Sequence, residues 1–321
     1  MVDQPIGVKP ASGSRSRAGR VLVALPVVVL LIVLLAVGLG SADLPAALAW
    51  QLRAPRVLAA AGVGALLALS GLAMQVVLRN PLADPYVLGT SGGAAVGALL
   101  ALMLGCSLGL GAAVGALVVT ALLLALARRA LTQADDASAR LILVGAMLAA
   151  VTGALGTLLL TLTPDPQLRG AIFWLVGDLS GARGGLGCLL LAAGLAALLI
   201  WRARSVDRLL LGSEAAALLG EPVVVLRWGL LAGASLAAGW AVATAGSIGF
   251  VGLVVPHVLR LGGVQRTRDL AWAAPIGGAT LLVAADLLAR TVAAPQELPV
   301  GAVMALLGAP LFIAFLLRGA R

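Results

Sequence analysis

The chain has 321 residues, 61% of them hydrophobic and only 11% charged, with 41 glycines and a mean hydropathy of +1.11. Those values exclude a soluble globular protein. The net charge of +9 does not point to nucleic acid, because the basic residues are scattered between apolar runs and form no patch with interleaved aromatics.

Apolar runs of about 20 residues are long enough to cross a hydrocarbon core of roughly 30 Å. They are continuous rather than alternating, so helices are expected and a barrel is not. The abundant Gly and Ala suit close helix packing in lipid. Residues 1–20 form a polar, basic tail (Lys9, Arg15, Arg17, Arg20) ahead of the first run. That run is too long for the core of a signal peptide and many more follow, so it reads as a first span.

Ten spans are expected, at about 21–40, 57–78, 87–105, 108–127, 140–161, 186–202, 225–245, 248–262, 271–291 and 300–318. Residues 21–321 thus read as one transmembrane domain. With the N-terminus inside, 17 Lys and Arg fall on the cytoplasmic side. Only Arg53, Arg56, Arg169, Arg183 and Arg290 fall outside, as the positive-inside bias requires. Both termini are then cytoplasmic.

Two connections are long. The inner one, 203–224, is too polar to span and reads as one or two short amphipathic helices, with Ser213 capping the second. The outer one, 162–185, contains "LRGAIFWLVGDLSG", whose Phe173 and Trp174 suit an interfacial half-helix. The Gly/Ala-rich stretches 62–75 and 229–243 each follow an Arg and run in opposite directions in this topology. Inverted-repeat halves are a common transporter design.

"RNPLADPYVLGTSGG", residues 79–93, interrupts this pattern. Asn80-Pro81 and Asp84-Pro85 bias the backbone away from helix, and the side-chain oxygens of Asn80 and Asp84 can satisfy free N–H groups. "GTSG" also matches an intramembrane serine protease motif, with Ser91 as nucleophile and His257, the only histidine, as base. The competing reading is that Ser91, Gly92 and Gly93 let helices approach closely. Cys106 and Cys188 form no metal-ligand pattern and read as small apolar fillers. His257 has no partner ligands for a metal. Asp286 lies inside an apolar run four residues before Arg290, which makes it either a functional intramembrane acid or a structural ion-pair partner.

Residues 53–97 carry R-x-P-R, a Gly/Ala span with S-G and Q, and R-N-P-L-A-x-P-x-x-L-G. "LGSEAAALLG", "GSIGFVGLVVPHVLR", "ADLLAR" and "ELPVGAVMALLGAPLFIAFLLR" follow in order. This series resembles the FecCD-type ABC importer permeases, which carry cobalamin, ferric siderophores and heme. Ser213 stands where that family usually has Asp, and Asp178 where Ser is expected.

The resemblance implies a homodimer in a bacterial inner membrane, two cytoplasmic ATPase subunits that use ATP and Mg, and a periplasmic binding protein. It implies no catalytic or metal site and no bound cofactor in this chain, which also lacks a phosphate-loop motif. It assigns Arg53, Arg56 and Arg290 to docking of the binding protein. Gly212, Ser213, Glu214, Ala217, Leu219 and Gly220, within a coupling segment of about 205–222, would face the ATPase. Arg169, Phe173 and Trp174 are expected at the substrate entrance, an arrangement similar to heme-type members and favouring heme over siderophore or cobalamin. The alternatives are the Ser91/His257 protease and an ion-coupled secondary transporter, the latter disfavoured because the spans carry almost no carboxylates.

Overall fold

A computed structural model describes residues 12–40, 45–132 and 137–319. Among these, every regular element is helical. The α-helices are α1 (Ser12–Gly38), α2 (Ala46–Val77), α3 (Thr90–Met103), α4 (Leu108–Thr132), α5 (Ala137–Thr161), α6 (Asp165–Val176), α7 (Gly185–Trp201), α8 (Ala203–Leu210), α9 (Ser213–Leu218), α10 (Val223–Ala245), α11 (Val251–Leu261), α12 (Thr267–Thr291) and α13 (Val300–Gly319). A 3-10 turn covers Pro85–Leu88.

Each of the ten expected apolar runs contains one of these helices. Six are long and apolar enough to cross a membrane alone, or seven if α7 and α8, bent by 69° at their junction, count as one. Helices α3 and α11 and the apolar part of α13 are shorter. Two boundaries differ from expectation. Helix α1 begins at Ser12, inside the segment read as a tail; residues 1–11 lie outside the described part. Helix α2 begins at Ala46 behind Pro45 rather than near residue 57, so Arg53 and Arg56 sit within a helix rather than at its edge. Pro55 is carried inside that helix.

Helix α2 is the hub. It is buried along most of its length and packs against α7, α10, α11 and α12. There is no room for side chains between these backbones. A Cβ on Gly62 would lie 2.6 Å from the Gly185 carbonyl oxygen, and one on Gly64 would run into the Gly278 carbonyl. Polar bonds reinforce the packing: the Ser70 hydroxyl donates to the Ala234 carbonyl at 2.6 Å and Gln75 Nε2 to the Gly252 carbonyl at 3.3 Å.

The interruption at 79–93 resolves into two local structures. Asn80 Oδ1 accepts from the Leu82 N–H at 2.9 Å and Asp84 Oδ1 from the Tyr86 N–H at 2.8 Å, so the two Pro-flanked turns are capped by their own side chains. Helix α3 then starts after Gly89, whose φ of 81° only glycine adopts readily. Gly93 and Gly97 of α3 interlock with Gly111 and Gly115 of α4. A Cβ on Gly97 would fall on the Gly111 carbonyl, and one on Gly115 on the Gly93 carbonyl. The four-residue spacing on both helices is the small-xxx-small geometry of membrane helix pairs. Ser91 occupies the first turn of α3, which packs on α4, α5 and α10. His257 is on α11, its ring edge-on to Phe312 of α13.

Candidate docking, coupling and entrance sites

Charge gathers at the two ends of the bundle. At the end where α2 starts and α12 finishes, Asp286 is completely buried and serves two arginines. Its Oδ1 accepts from Arg56 Nε at 2.8 Å, and its Oδ2 lies 3.0 Å from Arg290 Nε. No donor is well aligned on Oδ2, so the second contact is chiefly Coulombic. Arg56 Nη1 reaches Glu297 Oε2 at 2.6 Å. Arg290 also donates to the Ala36 carbonyl at 3.0 Å and the Leu39 carbonyl at 3.3 Å, while Arg53 donates to the Gly38 carbonyl at 2.8 Å. Two guanidinium groups therefore cap the last carbonyls of α1, where the helix dipole is negative.

The three arginines expected at the docking surface are thus brought together, but not as three free cations. Arg56 and Arg290 are 8% and 2% exposed and turned inward, because the membrane-embedded Asp286 draws them in. Arg53 is half-buried. The i,i+4 pair expected between Asp286 and Arg290 is present, and Arg56 joins it from a distance of 230 residues in sequence.

At the opposite end, α8 and α9 form the expected pair of short helices. Gly212, at φ 115°, breaks the chain between them. Ser213 is not a cap. It is the first residue of α9, and its hydroxyl accepts from Arg227 Nη2 on α10. Arg208 on α8 pairs with Glu221 at 2.6 Å just before α10. The Ser205 hydroxyl, together with Arg208, holds the Glu221 carboxyl below its ordinary range. Asp207 Oδ1 accepts from the Thr267 N–H at 3.1 Å, placing a carboxylate on the first turn of α12. The segment is therefore tied to α10 through Ser213 and to α12 through Asp207, and Arg208–Glu221 closes it on itself. Glu214, Ala217, Leu219 and Gly220 are exposed, as is Leu218 at 89%, whereas Ala216 is buried beneath them.

The half-helix expected near Phe173 and Trp174 is α6. Its C-terminal end is woven into the neighbouring elements. The Asp178 N–H donates to the Ala245 carbonyl at 2.9 Å, and the Gly301 N–H to the Gly177 carbonyl at 3.2 Å. Gly246 must lack a side chain because the Trp174 carbonyl occupies that space. Asp178 accepts from both the backbone N–H and the hydroxyl of Ser180, closing its own turn. Arg169 is exposed, with its guanidinium carbon 5.8 Å from the centroid of the half-buried Phe173 ring. Cys188 is buried beside Thr244, as a filler would be, but Cys106 is exposed.

Asp207, Glu221 and Glu297 were not singled out in the sequence. Each is a carboxylate in a loop or short helix, and the available signal was the scarcity of acids, 13 in 321 residues.

The model of the FecCD transport family matches residues 23–318. This chain belongs to that family. Among FecCD relatives, it is 40% identical over 281 residues to the vitamin B12 import system permease protein BtuC of Escherichia coli (strain K12 / DH10B), covering 85% of this chain and 84% of that protein. The E. coli O157:H7 protein of the same name matches to the same extent. A solved protein described as a metal-chelate type ABC transporter, in an inward-facing conformation, superimposes with a TM-score of 0.84 at 28% identity, over 94% of this chain and 99% of that one. PsaBC from Streptococcus pneumoniae, in complex with Fab, shares the fold at a TM-score of 0.60 and 15% identity.

Proposed function

We propose that this FecCD protein is the permease subunit of an ATP-driven importer of a large metal chelate. It works as a homodimer in the inner membrane, with α8 and α9 on the cytoplasmic side and the Arg53–Arg56–Arg290 end facing the periplasm. A binding protein delivers the ligand to that outer end. Two separate ATPase subunits, which use ATP and Mg, grip Gly212 to Gly220.

The observation that carries this reading is the linkage through α12. Its first turn is bonded to Asp207 of α8, and its last two turns hold Asp286 and Arg290. At 1.5 Å per residue, the 24 positions from Thr267 to Arg290 span about 35 Å, one bilayer. Movement imposed on α8 by an ATPase thus reaches the docking end through one continuous helix, as alternating access requires. The second copy has an exposed surface on α5, where Leu143, Met147, Val151 and Leu158 form one stripe and Gly153 and Gly156, on another side of the helix, have nothing against them. Exposed small residues favour a helix partner over lipid.

Neither alternative mechanism gains support. Asp286 is fixed between two arginines, which suits a structural acid rather than a proton relay. Ser91 lies where close helix packing accounts for its neighbouring glycines.

The relatives' name favours cobalamin as the chelate. One observation favours heme instead: Arg169 presents an exposed, permanent cation beside an aromatic ring, suited to a propionate and a flat macrocycle. Proteoliposomes holding the complete transporter and its binding protein separate the two. ATP-dependent uptake of cobalamin alone ends the heme reading. For a heme carrier, Arg169→Ala should cut heme uptake about tenfold, the worth of one charge-assisted bond. If uptake of every chelate is independent of ATP, the importer reading fails.

A further inference from the structure

We infer that Glu297 is an internal stand-in for the carboxylate of the docking partner: it covers Arg56 in the resting permease, and the partner's acid must replace it there. The inference rests on the docking reading of this end of the bundle.

Arg56 has two carboxylate partners of different character. Asp286 is wholly buried and shared with Arg290, so it is a permanent ligand. Glu297 lies in the connection between α12 and α13 with its side chain 35% exposed, while that of Arg56 is only 10% exposed. An incoming acid therefore meets Glu297 first, at the very Nη1 position it needs.

The exchange asks little of the fold. The Leu298 N–H donates to the Ala289 carbonyl at 3.0 Å and the Gln296 N–H to the Ala293 carbonyl at 2.9 Å, which pins the backbone on both sides of Glu297. With the backbone held, a rotation of the Glu297 side chain is the movement that uncovers Arg56. A part-exposed carboxylate regains water when it swings out, so its release costs far less than that of Asp286. The charge count around the two buried arginines stays the same, with one carboxylate substituted for another.

Two consequences follow from the chemistry. The arriving group must be a carboxylate, because a neutral acceptor would leave the cluster one negative charge short. Docking also gains only the difference between two similar ion pairs, so the partner is held weakly enough to leave in each cycle.

The test measures binding of the transporter's own binding protein to the complete transporter in lipid nanodiscs. Glu297→Gln removes the competing charge and keeps the shape. It should tighten the complex about tenfold, a change of about 1.4 kcal/mol, and the gain should persist at 0.5 M salt, where screening removes long-range repulsion between exposed charges. In an Arg56→Lys background, which keeps a cation beside Asp286, the gain should shrink to less than twofold.

No tightening by Glu297→Gln while Arg56→Lys weakens binding overturns the stand-in and leaves the docking reading intact. A gain that vanishes at 0.5 M salt, or that is undiminished by Arg56→Lys, also overturns it, since bulk charge would then be the cause. If Arg56→Lys and Arg56→Gln both bind like the parent in correctly folded transporter, the docking reading itself fails.

Discussion

Replacing Asp286 by Asn tests the buried cluster most directly. The substitution keeps volume but removes what is, among the described residues, the only wholly buried negative charge between Arg56 and Arg290. Breaking a buried ion pair by removing one partner costs about 3–5 kcal/mol. Two cations lose their partner here, which argues for the upper figure. Each retains support, however: Arg56 keeps Glu297 at 2.6 Å, and Arg290 keeps the Ala36 and Leu39 carbonyls at 3.0 and 3.3 Å. The amide oxygen of Asn can still accept from Arg56 Nε. Its NH2 group would then face Arg290 Nε, donor against donor, from the position Oδ2 holds at 3.0 Å. The expected loss is therefore about 3 kcal/mol, the lower end of that range. Unfolding of the purified protein in mixed micelles, with an increasing mole fraction of SDS and helix content as readout, measures it. Amide exchange at residues 36–39 should also rise, because Arg290 caps the end of α1. A loss below about 0.5 kcal/mol, the range of ordinary surface changes, would refute the idea that Asp286 holds this end together.

Two further outcomes follow from packing and exposure. Gly97→Val should destabilise by about 2 kcal/mol or more, as overpacking does, because its Cβ meets the Gly111 carbonyl; Gly153→Ala, inside α5 with open space around it, should stabilise by up to about 1 kcal/mol in the same SDS titration of the monomer, since Ala is the better helix former, and equal effects would remove the special role of the α3–α4 glycines. Leu218→Asp, at an 89% exposed position of α9, should leave the SDS midpoint unchanged and reduce transport-coupled ATP hydrolysis about tenfold, as loss of one interface anchor does; native coupling in that variant would take α9 out of the ATPase contact.

Hydropathy alone determined the membrane class, the helical fold and the place of ten apolar helices, because in lipid each span must satisfy its own backbone and so declares itself by composition. The ordered blocks after residue 53 carried the family, and the polar gap at 203–224 carried the short helices α8 and α9. The i,i+4 spacing of Asp286 and Arg290 made their pairing legible, since a helix places such residues on one face. What the sequence withheld is anything decided by residues far apart. That Arg56 turns inward depends on an acid 230 positions away, and that Glu297 covers it depends on where the α12–α13 connection folds back. Ser213 looked like a cap because it follows a glycine, yet Arg227 of α10 takes its hydroxyl. The positive-inside count places an arginine at one end of a helix, but whether that arginine meets a partner protein or a buried aspartate is settled by which helices surround it, and helix neighbours are chosen by side-chain packing that no local pattern encodes.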